Sequence, residues 1–311
     1  MILKKPELLV TPTKVDDIEK LAQSGADAII IGEQKFGLRL AGEFSREDVK
    51  NAIGIAHAHN MKVYVAMNAL FHNEQVDELA DYASFLKDAG ADAIVFGDPA
   101  VLMAVREAAP GMRLHWNTET TATNWFTCNY WGRKGAQRAV LARELSMDAA
   151  IETKEKAEVE IEVQVHGMTA MFQSKRSLIG NYFEYQGREM EIEKKKYEPN
   201  MLLHDKERNN KYPIFEDANG THIMSPNDIC IIDELEEMID AGIDSFKIDG
   251  VLKSADYIVE VTKKYRKAID LCVEDRDAYY EIKDELYREI EAIQPVNRPL
   301  DTGFFYKETV Y

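Results

Sequence analysis

Hydrophobic positions along the chain fall into two kinds of segment that take turns. One kind is amphipathic, as in Val15 to Ala22, Gln75 to Lys87 and Cys230 to Asp240. Its apolar residues recur three and four apart, the spacing that aligns one face of a helix. The other kind is a short apolar run with many β-branched residues. An internal echo joins the two: Ser24-Gly-Ala-Asp-Ala-Ile-Ile-Ile-Gly32, Ala89-Gly-Ala-Asp-Ala-Ile-Val-Phe-Gly97 and Ala241-Gly-Ile-Asp-Ser-Phe-Lys-Ile-Asp-Gly250, with a looser copy at Lys134-Gly-Ala-Gln-Arg-Ala-Val-Leu-Ala-Arg143. In each copy the first glycine suits the left-handed position that ends a helix, and the run after it suits a strand buried on both faces. Each copy therefore predicts a helix, a stop and a parallel strand.

Strands are predicted to begin near Glu7, Asp27, Lys62, Ala93, Arg113, Arg138, Glu160 and Ser245. Helices alternating with buried strands imply right-handed crossovers and a parallel sheet. Eight such strands fit a TIM-type (β/α)8 barrel, and an open doubly wound sheet, which shares the local pattern, is the alternative. The interval from Val165 to Ser245 is too long for one crossover. The expected division is a barrel over residues 1–166 and 228–270, an insertion lobe over 167–227 after strand seven, and a C-terminal helix and tail over 271–311. Ser254 to Asp270 and Asp277 to Ile293 read as two helices, the second stopped by Pro295-Val-Asn-Arg-Pro299.

Composition narrows the function classes. A chain of 311 residues with 45% hydrophobic content can bury one large core. No stretch approaches the roughly 18 apolar residues of a membrane helix, and Met1-Ile-Leu-Lys-Lys-Pro6 lacks an apolar signal region. A cytoplasmic protein without a membrane partner is expected. Cys128, Cys230 and Cys272 are widely spaced, which gives neither a disulfide framework nor an all-cysteine metal site. With 38 basic and 55 acidic residues, the net charge of -17 repels phosphate backbones unless a local patch or a partner subunit compensates.

In a barrel, polar residues just past each strand face the mouth. They are Arg39 after strand two, Asn68 after three, Asp98 after four, and His115, Asn117, Thr118 and Glu119 around the end of five. Arg143 follows strand six, His166 seven, and Lys247, Asp249 and Lys253 eight. His115, His166, Glu119 and Asp249 are the catalytic candidates. Two imidazoles and a carboxylate suit zinc binding or proton transfer, and equally suit a hydrogen-bonded rim, so no metal set is assigned. Arg39, Asn68, Asn117, Thr118, Arg143, Lys247 and Lys253 are the ligand-binding candidates. Their cations fit a small carboxylate or phosphate, and ion pairing with Glu119, Glu144 or Asp249 is the alternative. Residues 173–213 carry nine Lys/Arg against seven Asp/Glu, so this stretch is +2 and the remainder -19. Lys175, Arg176, Lys194, Lys195 and Lys196 are its candidates for RNA contact, although a charge-mixed run is also an ordinary solvated face.

Taken together, Val165-His-Gly167, Ser174-Lys-Arg-Ser-Leu-Ile-Gly-Asn-Tyr182, Thr221-His-Ile-Met-Ser-Pro-Asn-Asp-Ile-Cys230 and Gly242 to Ser254 resemble the peptidase U32 family. Phe36-Gly-Leu-Arg39, His115-Trp-Asn-Thr118, Leu141-Ala-Arg-Glu-Leu145 and Thr302-Gly-Phe-Phe305 extend the likeness over nearly the whole chain. The family was named for collagenase-like proteases. Members similar to this chain are associated with RNA hydroxylation, including 5-hydroxyuridine at the tRNA wobble position, with prephenate as a required metabolite. The resemblance implies a barrel, a tRNA substrate and a cationic pocket for a prephenate-like carboxylate. The chain is similar in length to the short member of a tRNA-hydroxylation pair, which implies a longer, cysteine-bearing paralogue as partner. Typical members carry cysteines, thought to hold an iron–sulfur cluster, where this chain has Ala170, Ser177 and the stretch Gly187 to Glu193, and only Cys230 matches. An iron–sulfur cluster is therefore not expected here, since such clusters take four cysteines. A metal-assisted hydrolase and a non-catalytic scaffold subunit are the alternative functions.

Overall fold

The computed structural model describes residues 4–188 and 201–307. Eight parallel strands alternate with helices: β1 (Glu7–Val10), α1 (Ile18–Gln23), β2 (Ala28–Ile31), α2 (Arg46–Ala58), β3 (Lys62–Met67), α3 (Asn73–Ala89), β4 (Ala93–Phe96), α4 (Pro99–Ala108), β5 (Arg113–Trp116), α5 (Trp125–Arg133), β6 (Arg138–Val140), α6 (Met147–Lys156) and β7 (Glu160–Ser174). After β7 come α7 (Leu178–Tyr185), the antiparallel strands β8 (Leu202–Asp205), β9 (Asn210–Asp217) and β10 (Gly220–Cys230), and then α8 (Glu236–Asp240) and β11 (Ser245–Ile248). α9 (Ala255–Glu274), α10 (Arg276–Ile293) and β12 (Leu300–Asp301) complete the order. β11 pairs with both β7 and β1, which closes the sheet into a (β/α)8 barrel and excludes the open alternative. The four repeat glycines, Gly25, Gly90, Gly135 and Gly242, all have positive φ at the turn from helix to strand, as their pattern predicts.

Strand alternation builds two cores. Outward residues such as Val10, Ile29, Val63, Ile94, Phe96, Ile161 and Phe246 meet the helices, while Leu9, Ala28, Tyr64, Ala93 and Val95 fill the barrel. At the N-terminal end the interior is polar. Arg138 pairs there with Glu7 at 2.7 Å, Glu160 at 2.9 Å and Glu162 at 3.3 Å. Among the described residues, no helix is long and apolar enough to cross a membrane.

Three expected boundaries shift, each for a packing reason. β7 does not stop at His166 but runs on to Ser174, where β10 pairs with it antiparallel, so residues 167–174 extend a barrel strand rather than begin a loop. Cys230 ends β10 instead of starting a helix, and α8 is confined to Glu236–Asp240. Cys230, Ile231 and Ile232 are buried in succession, which suits extended chain rather than a one-sided helical stripe. α9 continues to Glu274 because Ala268, Ile269 and Cys272 prolong its buried face, so residues 270 and 271 lie within one helix.

Gly167 permits the continuation of β7. Its φ is +104°, and a Cβ there would stand 2.2 Å from the Asp249 carbonyl oxygen. Gly167→Ala is expected to cost at least about 2 kcal/mol, from backbone strain and displacement of Asp249. Denaturant unfolding measures this, and an unchanged midpoint would contradict it.

Candidate functional site in the barrel mouth

The C-terminal strand ends gather most of the expected site. Arg39, in the loop after β2, and Glu119, in the loop after β5, both adopt positive φ, +49° and +65°, and their side chains form a direct ion pair. Two non-glycine residues held in left-handed backbone and bonded to each other mark a site whose geometry the surrounding structure enforces. Arg143 stands 3.6 Å from Glu119 and 3.8 Å from Asp249, and Lys247 bonds Asp249 at 3.0 Å. Three cations thus face two carboxylates. Burial alone pushes both carboxyls up, but Arg39, Arg143 and Lys247 outweigh it at Glu119, and Lys247 and Arg143 do so at Asp249. Both acids end below their ordinary range and stay ionised. Two of the three positive charges are thus balanced within the protein.

Above this charged compartment lies a cleft of about 390 Å³. Asn68 and Asn117 border both spaces, and Thr118 lines the outer one. Asn68 Oδ1 accepts the Leu38 N–H and Asn117 Oδ1 accepts the Glu119 N–H, each at 3.0 Å. These bonds fix both carboxamides, and neither amino group has a hydrogen-bond partner among the described residues.

The two histidines do not join this site. His115 faces the interior, but its register partners are Val95 and Arg138, which place it in the lower polar layer, against Tyr64. Neither of its ring nitrogens has a hydrogen-bond partner among the described residues. His166 lies six positions past Glu160, the residue level with Arg138. β7 carries one extra residue between the pairings of Gln164 with Lys247 and of His166 with Ile248. That bulge turns His166 outward, where Nε2 meets the Tyr257 hydroxyl at 2.7 Å and the ring packs on Tyr265 of α9. His115, His166 and Glu119 thus share no centre, as a zinc or acid–base triad requires. Lys253 is also elsewhere, paired with Asp228 beneath the tail, and both side chains are fully buried.

Burial first, and nearby cations second, hold His115 well below 6.5, while burial brings His166 down to about 3. The unfolded chain therefore takes up protons before the native one as pH falls below about 6.5, and native stability declines from there. The slope approaches about 1.4 kcal/mol per pH unit for each histidine. The urea midpoint should fall between pH 6.5 and 4.5, less steeply for His166→Gln. Parallel profiles would contradict the assignment of His166 as a buried neutral imidazole.

Sequence reasoning missed three polar neighbours of the cations. Gln164 accepts from Arg143 Nε, and Gln173 and His222 each lie 3.5 Å from Arg39 Nη1. Gln164 was readable as an inward position two beyond Glu162. Gln173 and His222 reach the mouth only through the β7–β10 pairing, which leaves no local signal. Of the expected RNA contacts, Lys175 and Arg176 are exposed, and Lys175 bonds the Leu70 carbonyl at 2.8 Å on the cleft rim. Lys194, Lys195 and Lys196 lie outside the described residues.

The family model for peptidase family U32 matches residues 13–310. The chain belongs to that family. It is 72% identical over 309 residues to tRNA hydroxylation protein P2 of Bacillus subtilis, covering 99% of this chain and 100% of that protein. It is 33% identical to tRNA hydroxylation protein P1 of the same organism, over 98% of this chain and 72% of the relative. A solved U32 peptidase shares the fold with a TM-score of 0.51 at 13% identity, covering 78% of this chain and 92% of that one. The positions at which the family resemblance implies cysteines lie in different surroundings. Ala170 sits in the mouth wall opposite Met224, Ser177 precedes α7, and Cys230 is buried beside Tyr265. Burial pushes the Cys230 thiol up to about 12. A methyl, a hydroxyl and one thiol do not fit an iron–sulfur cluster, whose usual ligand set is four cysteines.

Proposed function

We propose that this chain takes part in tRNA wobble-uridine hydroxylation in the cytoplasm, together with a longer, cysteine-bearing U32 paralogue. The observation that carries this reading is the 72% identity across the full length of tRNA hydroxylation protein P2. The mouth supplies the chemistry this chain contributes. Arg39, Arg143 and Lys247 form an anion site whose present counter-ions, Glu119 and Asp249, a small carboxylate such as prephenate can replace. The guanidinium forks of Arg39 and Arg143 orient a planar carboxylate, and burial strengthens the attraction by excluding water.

The test is mass spectrometry of tRNA nucleosides from cells lacking this chain, its paralogue or both. The expected outcome is a loss of 5-hydroxyuridine in the double deletion that the paralogue's gene restores more fully with this chain's gene than alone. An unchanged level in the double deletion would refute the reading. Restoration only when both genes are present, with a mouth variant as effective as wild type, would make the chain a scaffold.

A further inference from the structure

The outer cleft differs in chemistry from the charged compartment beneath it. Leu70, Pro99, Met171 and Phe172 supply apolar wall, and Phe172, 46% exposed, is open to a planar ring. Arg39 is the one cation among the described lining residues, and Glu119 already holds it. A second carboxylate, Asp98, caps α4 through one oxygen at 2.8 Å from the Ala100 N–H and has no partner at the other among the described residues. Two acids with one engaged cation disfavour an anion, so the carboxylate of the inner site does not belong here. What remains is hydrogen bonding: amino donors from Asn68 and Asn117, with their oxygens committed to backbone N–H groups, and a free acceptor on Asp98.

We propose that this outer cleft is a pocket for one unpaired pyrimidine of an RNA, stacked on Phe172 and selected as uracil by Asn68, Asn117 and Asp98. The proposal rests on the RNA-modifying role proposed above and assigns it a second subsite. The Watson–Crick edge of uracil runs acceptor, donor, acceptor, which complements two amino donors and one carboxylate oxygen. Cytosine turns its N3 lone pair toward that oxygen and offers an amino group where a donor already stands. An extruded base is the usual form in which proteins read or modify RNA, stacked on an aromatic and bonded along its edge. Placement agrees with this. The cleft shares Asn68, Asn117 and Glu119 with the carboxylate site, so base and carboxylate lie side by side. On the rim, Lys175 and Arg176 stand where the flanking phosphates of an extruded nucleotide would pass.

The experiment is equilibrium binding of the full chain to three RNA hairpins identical except at one unpaired loop position, which carries uridine, cytidine or no base. The uridine hairpin is expected to bind at least about fivefold more tightly than the cytidine one and about tenfold more tightly than the abasic one. Asn117→Asp keeps the acceptor for the Glu119 N–H and is isosteric, so the fold survives while the amino donor is lost. It should bring uridine down to the level of cytidine. Phe172→Ala, at an exposed position, should bring uridine down to the abasic level. Equal binding of all three hairpins by the unaltered chain, or binding of none, overturns the pocket, as does a uridine preference that survives both substitutions. Failure of the functional reading looks different, with unchanged 5-hydroxyuridine in cells and the hairpin preference intact.

Discussion

Lys253→Met should destabilise the protein by about 3–5 kcal/mol while leaving the affinity of the mouth for a carboxylate unchanged. Lys253 and Arg298 both bond the fully buried Asp228, and Gln294 donates to it at 2.5 Å. Burial, the largest influence, pushes the Asp228 carboxyl up, but the two cations more than offset it and keep the acid ionised. Removing Lys253 leaves a desolvated carboxylate with half its counter-charge. The network ties the root of β10 to the tail, because Arg298 also donates to the Ser225 and Pro226 carbonyls. Thermal and urea unfolding give the cost. Pairing the change with Asp228→Asn should recover part of it, because the orphaned charge is then gone. A carboxylate affinity that falls with Lys253→Met, at unchanged stability, would return this lysine to the ligand site.

The second large effect is functional. Arg143→Met removes the cation that spans both carboxylates and leaves two cations against two acids in the mouth. Carboxylate affinity should drop roughly 10- to 100-fold, the worth of a lost charge-assisted bond or two. Stability should change little, because Glu119 retains Arg39 and Asp249 retains Lys247. Arg143→Lys should recover only part of the affinity, since an ammonium lacks the planar fork. Calorimetric titration with prephenate reads both variants, and wild-type affinity in Arg143→Met would remove this residue from the ligand site.

The barrel was legible because its information is local. Repeated glycines stop helices and apolar runs mark strands buried on both sides, so β1 to β7 and β11 start at or within one residue of the expected positions. Much of the mouth was legible for the same reason, since the residues after a barrel strand face it whatever the loops do. Arg39, Asn68, Asn117, Thr118, Glu119, Arg143, Lys247 and Asp249 therefore lie around one opening. The histidines misled because depth and sidedness are not local. His115 stands too low by its register with Arg138, and one extra residue in β7 sends His166 to the opposite face of the sheet. Lys253 follows a strand as the true mouth residues do, but Leu252, with φ +60°, precedes it, and its partner Asp228 arrives from a strand some 25 residues earlier.

The proposed role of the cationic mouth of this chain is in tRNA hydroxylation. Its most direct test is complementation of cells lacking both this chain and its paralogue with the paralogue and either the unaltered chain or one carrying Arg39→Met and Arg143→Met. Mass spectrometry of tRNA nucleosides gives the readout, with equal protein levels confirmed by blotting. The unaltered chain should raise 5-hydroxyuridine above the level the paralogue reaches alone, and the double variant should not. Equal 5-hydroxyuridine from both would contradict that role.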